Sequence, residues 1–548
     1  MKKIISFIIL LIVITACSES FLDENPVGEL SPDQILNPEN VESTIISAYS
    51  VLNGQFDEAS NAFNSPASNW TFGDVVSDDA YKGGGGTGDQ NQIHLMEIFA
   101  TTPSTIIDVE RKWLALYEGI RRANLSIRLL NESEDFDANL KAQRIAEMRF
   151  LRGHYHFEAK KIYGNICWVD ENVETKDDFY KVSNSDLSGA EQWTKIEDDF
   201  KAAAQVLPDT QEETGRPAKM AAKAYLAKCY IFQKKWGEAV ATADEVINSG
   251  KYNLEPDFRD VFLAENDNGQ EIIFSVQQTI NDGSPSNYNG SIGDRLMPPG
   301  GPYAAYGFLR PSQNLVNAYK TGDNGLPLND GNDLTGADNV DPRLDHTLAR
   351  PGIPYLDIQV YDWTPREASV YGPYSPKKRM LSINSAYYLP VWPYVTALNY
   401  YIIRYADVLL WRAEAAIETG DLETGRQYIN MVRNRAKTGA YVKTMDGSAD
   451  ASNYVIDTYP EFASKEEAVN ALHTERRLEF AHEGHRFFDL VRWGVAADVM
   501  NNYFESEKMS RSHLTNAVFV EGKNEYQPIP RSQMDLSQGN MVQNPKYN

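Results

Sequence analysis

Apolar residues recur at helical spacing over much of the chain, and this pattern predicts a protein that is mostly α-helical. Gly164 and Pro208 each end one of these periodic stretches, as residues that interrupt helices do. Outside the repeated unit and the C-terminal stretch described below, the predicted helices cover residues 41–51, 104–130, 142–163 and 191–207.

One helix–turn–helix unit occurs twice, at residues 217–250 and 404–436, with an offset of 186 residues. The matching positions are Ala227 and Ala413, Trp236 and Leu422, and Val246 and Val432. Small residues at matching places let two helices pack closely, which is typical of tetratricopeptide-like units that bury their faces by stacking on neighbours. Gly425 departs from the pattern, because the unit places a small Ala there.

Two long segments lack helical periodicity. Residues 61–92 are rich in Gly, Ser, Asn and Asp, and residues 269–400 are interrupted by Pro, Gly and Tyr, with a strand-like run at 271–277. Loops of this length are usually functional or disordered, and their density of Tyr and Trp argues against disorder. Binding residues concentrate on loops that a rigid scaffold holds, so we expect a ligand site here.

Of the nine tryptophans, Trp70 and Trp363 stand in these loops without a helical partner. A flat aromatic ring stacks on the apolar face of a sugar, while Asn, carboxylate or Arg groups bind its hydroxyls. Exposed aromatics with polar neighbours are typical anchors. The alternative is that both rings fold back over the core. The predicted ligand-binding residues are Trp70, Trp363, Tyr81, Asn69, Tyr361 and Arg366.

The stretch from His473 to Gly494 combines charged and apolar residues on one helical stripe. Ser464 and Glu467 form a capping-box pattern that begins its first helix, and Gly484 separates it from a second helix. A stripe shared with Val and Leu predicts a buried ion network rather than a catalytic carboxylate pair. The members of this network, expected to pair near Gly484, are Arg476, Glu479, Glu483 and Arg486.

The residues from Glu475 to Gly494, ERR-EF--EGHRFFDL-RWG, resemble the C-terminal signature of the SusD/RagB family. The segment SFLDENP at residues 20–26 and the ending at 526–545 are also similar to that family. The resemblance implies tetratricopeptide-like units with long irregular loops and minor β-structure. It also implies a non-enzymatic, nutrient-binding lipoprotein on the outer face of the outer membrane, which passes an oligosaccharide to a TonB-dependent (SusC-like) transporter.

The N-terminus has the features of a lipoprotein signal. Lys2 and Lys3 precede an apolar run that is too short to span a bilayer, and Cys17 stands at the expected cleavage site. An ordinary secretory signal with an incidental Cys is the alternative. We therefore expect a signal peptide at 1–16, a flexible tether at 17–30 attached to membrane lipid through Cys17, an N-terminal helical region at 31–268 and a C-terminal region at 269–548.

Composition narrows the choice of partners. The formal charge of −25 makes nucleic acid an unsuitable partner and would repel an anionic membrane surface, so attachment needs a lipid.

Besides Cys17 the chain has Cys167 and Cys229, which are expected to be two buried thiols, although a disulfide between them stays open. No cofactor is indicated. Residues 323–341 form an acidic loop that offers oxygen ligands for structural Ca²⁺ but lacks the EF-hand spacing.

Two other function classes remain open at this stage. A secreted or lipid-anchored glycoside hydrolase needs only two carboxylates at the right separation, and Asp78 with Asp79 is one candidate pair. Asp is also usual in a Gly-rich turn, which is the simpler interpretation. The other class is a helical-repeat scaffold that binds no ligand.

Overall fold

The computed structural model describes residues 35–56, 62–103, 106–283, 289–303, 306–390 and 395–547. The fold is mainly α-helical, as predicted. The helices in chain order are α1 Pro38–Ser50, α2 Asn91–Glu97, α3 Ile107–Glu132, α4 Ala138–Tyr163, α5 Lys176–Phe179, α6 Gly189–Val206, α7 Lys219–Phe232, α8 Trp236–Asn248, α9 Gln313–Ala318, α10 Arg343–Thr347, α11 Ala368–Tyr371, α12 Tyr405–Glu418, α13 Leu422–Thr438, α14 Lys465–Phe480, α15 Arg486–Trp493, α16 Ala496–Glu507 and α17 Arg531–Leu536.

The long helices stack in sequence order. Helix α3 packs on α4, α4 on α6, α6 on α7 and α7 on α8, and the stack continues directly from α8 to α12, α13 and α14. The main hydrophobic core lies between these helices. The segment between α8 and α12 is therefore inserted into a continuous helical scaffold, and it projects from the scaffold as the long loop region that the sequence predicted.

The repeated unit has the predicted correspondence. Trp236 and Leu422 are the first residues of α8 and α13. The pairs Ala227 with Ala413 and Val246 with Val432 are fully buried. Gly425 also has a packing reason, because a Cβ on it would lie 2.4 Å from Cγ1 of Ile417. The exception in the pattern is thus a place where α12 and α13 approach more closely than a side chain allows.

The β-structure is limited to short pairs. Strand β2 (Ile272–Val276) occupies most of the predicted run at 271–277 and pairs antiparallel with β11 (Tyr400–Arg404), which leads into α12. Strand β1 pairs with β3 and so connects the N-terminal loop to the insertion. The strands are β1 Ala80–Gly83, β2 Ile272–Val276, β3 Phe308–Pro311, β4 Asn339–Val340, β5 Leu348–Ala349, β6 Pro354–Tyr355, β7 Gln359–Val360, β8 Ser375–Pro376, β9 Tyr388–Leu389, β10 Val395–Thr396, β11 Tyr400–Arg404 and β12 Asn453–Tyr454.

The prediction that residues 61–92 form a loop without regular structure is only partly confirmed. Residues 70–75 form a π-helix, and nearly every residue from 63 to 84 is buried. Composition misleads here because the Asp and Asn side chains bond inside the protein. Asp74, for example, accepts hydrogen bonds from the backbone N–H of Gly484 at 3.1 and 3.0 Å.

The signature stretch folds as two helices around Gly484, as predicted. Ser464 caps α14 by accepting from the N–H of Glu467, but the Glu467 carboxylate accepts from Ala463 rather than from Ser464, so the reciprocal capping bond is displaced by one residue. His482 and Gly484 adopt positive φ angles of 64° and 77°, which turn the chain between the helices.

The predicted burial of the ion network is confirmed for Arg476, Glu479 and Glu483, but the predicted pairing is wrong. Among the described residues, the four members make no ion pair with one another. Arg476 pairs with Asp489 at 2.9 Å, and the half-buried Arg486 pairs with Asp78 at 2.8 Å. Each charge finds its partner on another element, because residues on one helical stripe point toward the neighbouring elements.

The core of this network joins the scaffold to the insertion. Glu479 lies 2.6 Å from Arg404, 3.1 Å from Arg343 and 2.5 Å from Arg435. Asp341 and Arg343 form the local ion pair expected at this turn, and they also belong to the larger cluster. The interconnected cations and carboxylates, all buried, are Arg343, Lys378, Arg404, Arg433, Arg435, Glu271, Asp341, Glu475, Glu479 and Glu483.

Cys167 and Cys229 are free and buried, which confirms the prediction of two thiols.

Candidate functional site

Four of the six predicted ligand-binding residues are inside the protein, and three of them come from the N-terminal loop. Trp70 is completely buried, and its Nε1 donates to the carbonyl oxygen of Gly293 at 3.1 Å. Tyr81 is also completely buried and donates its hydroxyl to Glu507 at 2.6 Å, while Asn69 donates to Glu158 at 2.8 Å. The prediction that these three side chains contact a ligand is wrong, because none of them offers a surface to solvent.

Tyr361, the fourth, is likewise buried, and its hydroxyl bonds to Ser375 at 2.8 Å, so the prediction that it contacts a ligand is also wrong. Its role is to support Trp363, whose ring centroid lies 4.3 Å away at an angle of 59°. Tyr355 supports the same indole from a second side at 5.3 Å. Trp363 itself is half-buried, so part of its indole faces solvent.

Gly301 lies directly against the indole of Trp363. A Cβ on Gly301 would lie 2.6 Å from Cδ2 of the ring, and its φ of +55° also disfavours a side chain. Together with Tyr355 and Tyr361, this contact holds the indole in one orientation. A ring ordered in advance loses little conformational entropy when a ligand stacks on it.

Arg366 places its guanidinium over the Gly-rich loop at residues 83–88. A Cβ on Gly85 would lie 2.3 Å from Nη2 of Arg366, so a side chain at this position would displace the guanidinium. Nη1 of Arg366 lies 3.1 Å from Oδ2 of Asp89, and the two side chains are 48% and 29% exposed. The exposed N–H groups and carboxylate oxygen remain accessible to a ligand.

Side-chain hydrogen bonds of Lys82 and Asp89 hold the backbone of the Gly-rich loop. Lys82 donates to the carbonyl oxygens of Gly86 at 2.8 Å and of Asp89 at 2.5 Å. Burial lowers the pKa of Lys82 to about 8. The Asp89 carboxylate accepts from the N–H of Gly85 at 2.8 Å.

We call the resulting patch the aromatic–arginine surface, defined by Trp363, Arg366, Asp89, Gly85 and Gly301. It combines an aromatic ring with hydrogen-bond donors and a carboxylate acceptor, which is the set that binds a polyhydroxylated ring. Sequence reasoning identified Trp363 and Arg366 but missed Asp89, Gly85 and Gly301. The Gly-rich run next to Asp89 was the available signal.

The carboxylates considered for hydrolysis are already neutralised. Asp78 pairs with Arg486 at 2.8 Å and with Arg477 at 3.0 Å, and Asp79 pairs with Arg477 at 2.7 Å. Burial by itself would raise the pKa of Asp78, but Arg477 and Arg486 lower it below its usual value. Both carboxylates are buried, so they are structural groups.

A lysine that precedes the acidic loop at residues 323–341 competes for its carboxylates. Nζ of Lys320 lies 2.8 Å from Asp330 and 4.0 Å from Asp338. Within the part of the chain that the structure describes, no group of three or more His, Cys, Asp or Glu side chains is placed to hold a metal ion.

Cys17, the predicted signal peptide and the tether lie outside the described residues. None of the described helices is both long and apolar enough to cross a membrane.

Family comparisons agree with this architecture. The family model of the SusD family matches residues 270–547, and a second model, described as starch-binding and associating with the outer membrane, matches residues 20–231. The chain belongs to the SusD family.

Full-length relatives support the assignment. A SusD-like protein of Formosa agariphila is 27% identical over 531 residues, covering 91% of this chain and 92% of its own. A SusD-like protein of Bacteroides ovatus is 24% identical over 566 residues, covering 98% and 90%.

Solved structures show the same fold. A laminarin binding SusD-like protein superposes with a TM-score of 0.70 at 23% identity, covering 93% of this chain and 100% of its own. The surface glycan-binding protein A from Bacteroides thetaiotaomicron in complex with laminarihexaose gives 0.69 at 21% identity, covering 92% and 99%.

Proposed function

We propose that this protein is a non-enzymatic glycan-binding lipoprotein of the cell surface that holds an oligosaccharide on the aromatic–arginine surface. The observation that carries the proposal is the half-buried indole of Trp363, fixed on Gly301 and followed three residues later by Arg366, which pairs with Asp89, in a member of the SusD family. A sugar would stack its C–H face on the indole and direct its hydroxyls to the guanidinium and the carboxylate.

The first test is calorimetry with laminarihexaose, the ligand named for one structural relative, and with a panel of other neutral oligosaccharides. For whichever glycan binds, Trp363→Ala should weaken binding roughly tenfold or more, a loss of about 1.4 kcal/mol. Arg366→Gln should weaken it less, because the exposed guanidinium gives up only hydrogen bonds partly shared with water.

Trp236→Ala is the matched control. Trp236 is also a half-buried tryptophan, but it begins α8 and packs against the main core. This variant should bind as the parent does. If Trp363→Ala stays folded by circular dichroism and also binds like the parent, the glycan site is elsewhere.

The hydrolase alternative is tested on the same sample. The pure protein is incubated with the glycan it binds, and the products are separated by chromatography. We expect intact glycan. Hydrolysis that is lost on a single carboxylate change would replace the binding proposal with an enzyme.

We further propose that the protein delivers its ligand to a TonB-dependent transporter of the SusC-like kind, anchored on the outer face of the outer membrane through a lipid on Cys17. Family membership is the support for this step. Purification in mild detergent should yield a complex with a transporter barrel. Free monomer alone would contradict delivery, and a complex without any glycan affinity would favour the scaffold alternative.

A further inference from the structure

A cleft of about 440 Å³ opens on the insertion, and Trp363 is not one of its lining residues. Its side chains include the apolar Leu356 and Leu381 and a group of basic and neutral polar residues. We call it the cation cleft, defined by the lining residues Arg259, His346, Lys377, Ser382, Asn384 and Ser385.

Lys377 is 3% exposed, and its ammonium has only neutral partners. Nζ donates to the carbonyl oxygens of Asp345 at 2.5 Å and of Pro354 at 2.7 Å. None of the carboxylates in the described ranges lies within 4.0 Å of this nitrogen. Asp345, whose backbone it contacts, directs its carboxylate to Arg350 at 2.7 Å instead.

Arg259 shows the same arrangement on the other part of the cleft. Its Nη1 donates to the carbonyl oxygen of Lys378 at 2.7 Å, and its Nη2 donates to that of Met380 at 3.0 Å. As with Lys377, the described residues place no carboxylate within ion-pair distance of the guanidinium. Arg259 and Lys377 therefore line one cavity without an ion pair to any described carboxylate, although the more distant Asp345 favours the charged form of Lys377.

The neighbouring Lys378 is also buried, but its ammonium has a carboxylate partner. Its Nζ lies 2.5 Å from Glu483, inside the balanced network described above. A buried charge without a counterion carries a large desolvation cost, so a cation left this way favours an anion that can reach it. Burial is the main cause that lowers the pKa of Lys377 to about 7 and that of His346 to about 4; Arg259 lowers both further, and Asp345 opposes the shift. An anion bound in the cleft would raise the pKa of Lys377 and so favour its charged form.

Glu265 and Asp357 also line the cleft, but they do not neutralise its cations. Both are exposed, and water and salt screen their charges. Lys377 lies on the buried side, where electrostatic interactions are stronger. The cleft therefore combines a positive interior with an acidic, solvated rim.

We infer that the cation cleft binds the anionic group of a charged saccharide, either the carboxylate of a uronic acid or a sulfate ester. Arg259 and Lys377 supply the charge, and the hydroxyl and amide groups of Ser382, Asn384 and Ser385 supply hydrogen bonds for sugar hydroxyls. Leu356 and Leu381 provide apolar surface for the ring. None of the residues that define the aromatic–arginine surface lines this cleft, so the inference does not rest on the proposed function.

The experiment uses the full chain at low ionic strength. Calorimetry is carried out with trigalacturonate, with glucose 6-sulfate, with inorganic sulfate and with neutral maltotriose. We expect at least one of the two charged saccharides to bind more tightly than maltotriose and to be displaced by salt. Arg259→Gln and Lys377→Met should reduce that binding at least tenfold.

Arg259→Gln and Lys377→Met can also impair folding, so a substitution at the exposed rim of the cleft is tested as well. Asn384→Asp changes one exposed side chain to a carboxylate and should weaken the anion about two- to threefold by repulsion. Asn434→Asp, an exposed position on α13, is the matched control and should leave binding unchanged.

Three results would overturn the inference. The first is that neither charged saccharide binds the folded parent at millimolar concentration, and the second is that inorganic sulfate binds while neither saccharide does. The third is that Asn384→Asp and a folded Arg259→Gln both bind the anion as the parent does. Trp363→Ala separates the two proposals, since it should lose the neutral glycan and keep the anion.

Discussion

The backbones of Gly73 and Gly484 touch, although 411 positions separate them in the chain. A Cβ added to Gly73 would lie 2.0 Å from the carbonyl oxygen of Gly484. The adjacent Asp74 accepts from the N–H of Gly484, so this contact fastens the π-helix of the N-terminal loop to the turn between α14 and α15.

Gly73→Ala should therefore destabilise the protein by about 3 kcal/mol, because the new methyl group forces two backbones apart. Gly237→Ala is the control. No atom lies within 4 Å of a Cβ at Gly237, which is on α8, so this variant should be neutral or stabilise by about 0.5–1 kcal/mol. Urea unfolding measures both, and equal midpoints for the two variants would contradict the close contact.

Glu479→Ala should destabilise by about 3–5 kcal/mol, because it leaves Arg343, Arg404 and Arg435 buried with fewer counterions. Arg476→Ala should also destabilise, since Asp489 would lose one of its partners. Glu423→Ala is the surface control, because its carboxylate is 52% exposed and pairs with Arg426. That loss should be under about 0.5 kcal/mol. A similarly small effect at Glu479 would show that the network does not stabilise the fold.

Stability should fall on acidification through the same network. Burial by itself would raise the pKa of Glu483, but Arg404 and Lys378 lower it to about 2 from the usual 4.5. A depressed carboxyl pKa stabilises the folded state above pH 4.5, and that stabilisation decreases as the pH falls toward 2.

We expect Glu483 to contribute about 2 kcal/mol to the stability lost between pH 5 and pH 3. The measurement is the urea midpoint at several pH values for the parent and for Glu483→Gln. The variant should be less stable at pH 7 and should lose less on acidification. Parallel curves for the two proteins would refute the assignment.

Cys17→Ala should release the protein from the outer membrane, because a lipid on this residue is the proposed anchor. Cell fractionation followed by immunoblotting measures the distribution. Cys167→Ala provides a control that removes a buried thiol and leaves the membrane attachment intact. If the Cys17 variant still partitions with the outer membrane, another element is the anchor.

The candidate site was only partly predictable, and the two loop tryptophans show why. Trp70 and Trp363 have similar polar neighbours in the sequence, yet Trp70 is buried against Phe308 while Trp363 keeps a solvent-facing edge. The difference arises because β1 pairs with β3 and draws the N-terminal loop under the insertion. Local composition contains no information about such a pairing.

The sequence by itself determined the helices, their stacking into repeated pairs and the break at Gly484, because periodicity, capping residues and glycines act over a few neighbouring positions. Its signature residues also identified the family. Only the tertiary structure decided the partner of each buried charge and the exposure of each aromatic ring. Glu479 and Arg343, for instance, meet across 136 positions, so their pairing depends on how the whole insertion folds back onto the scaffold.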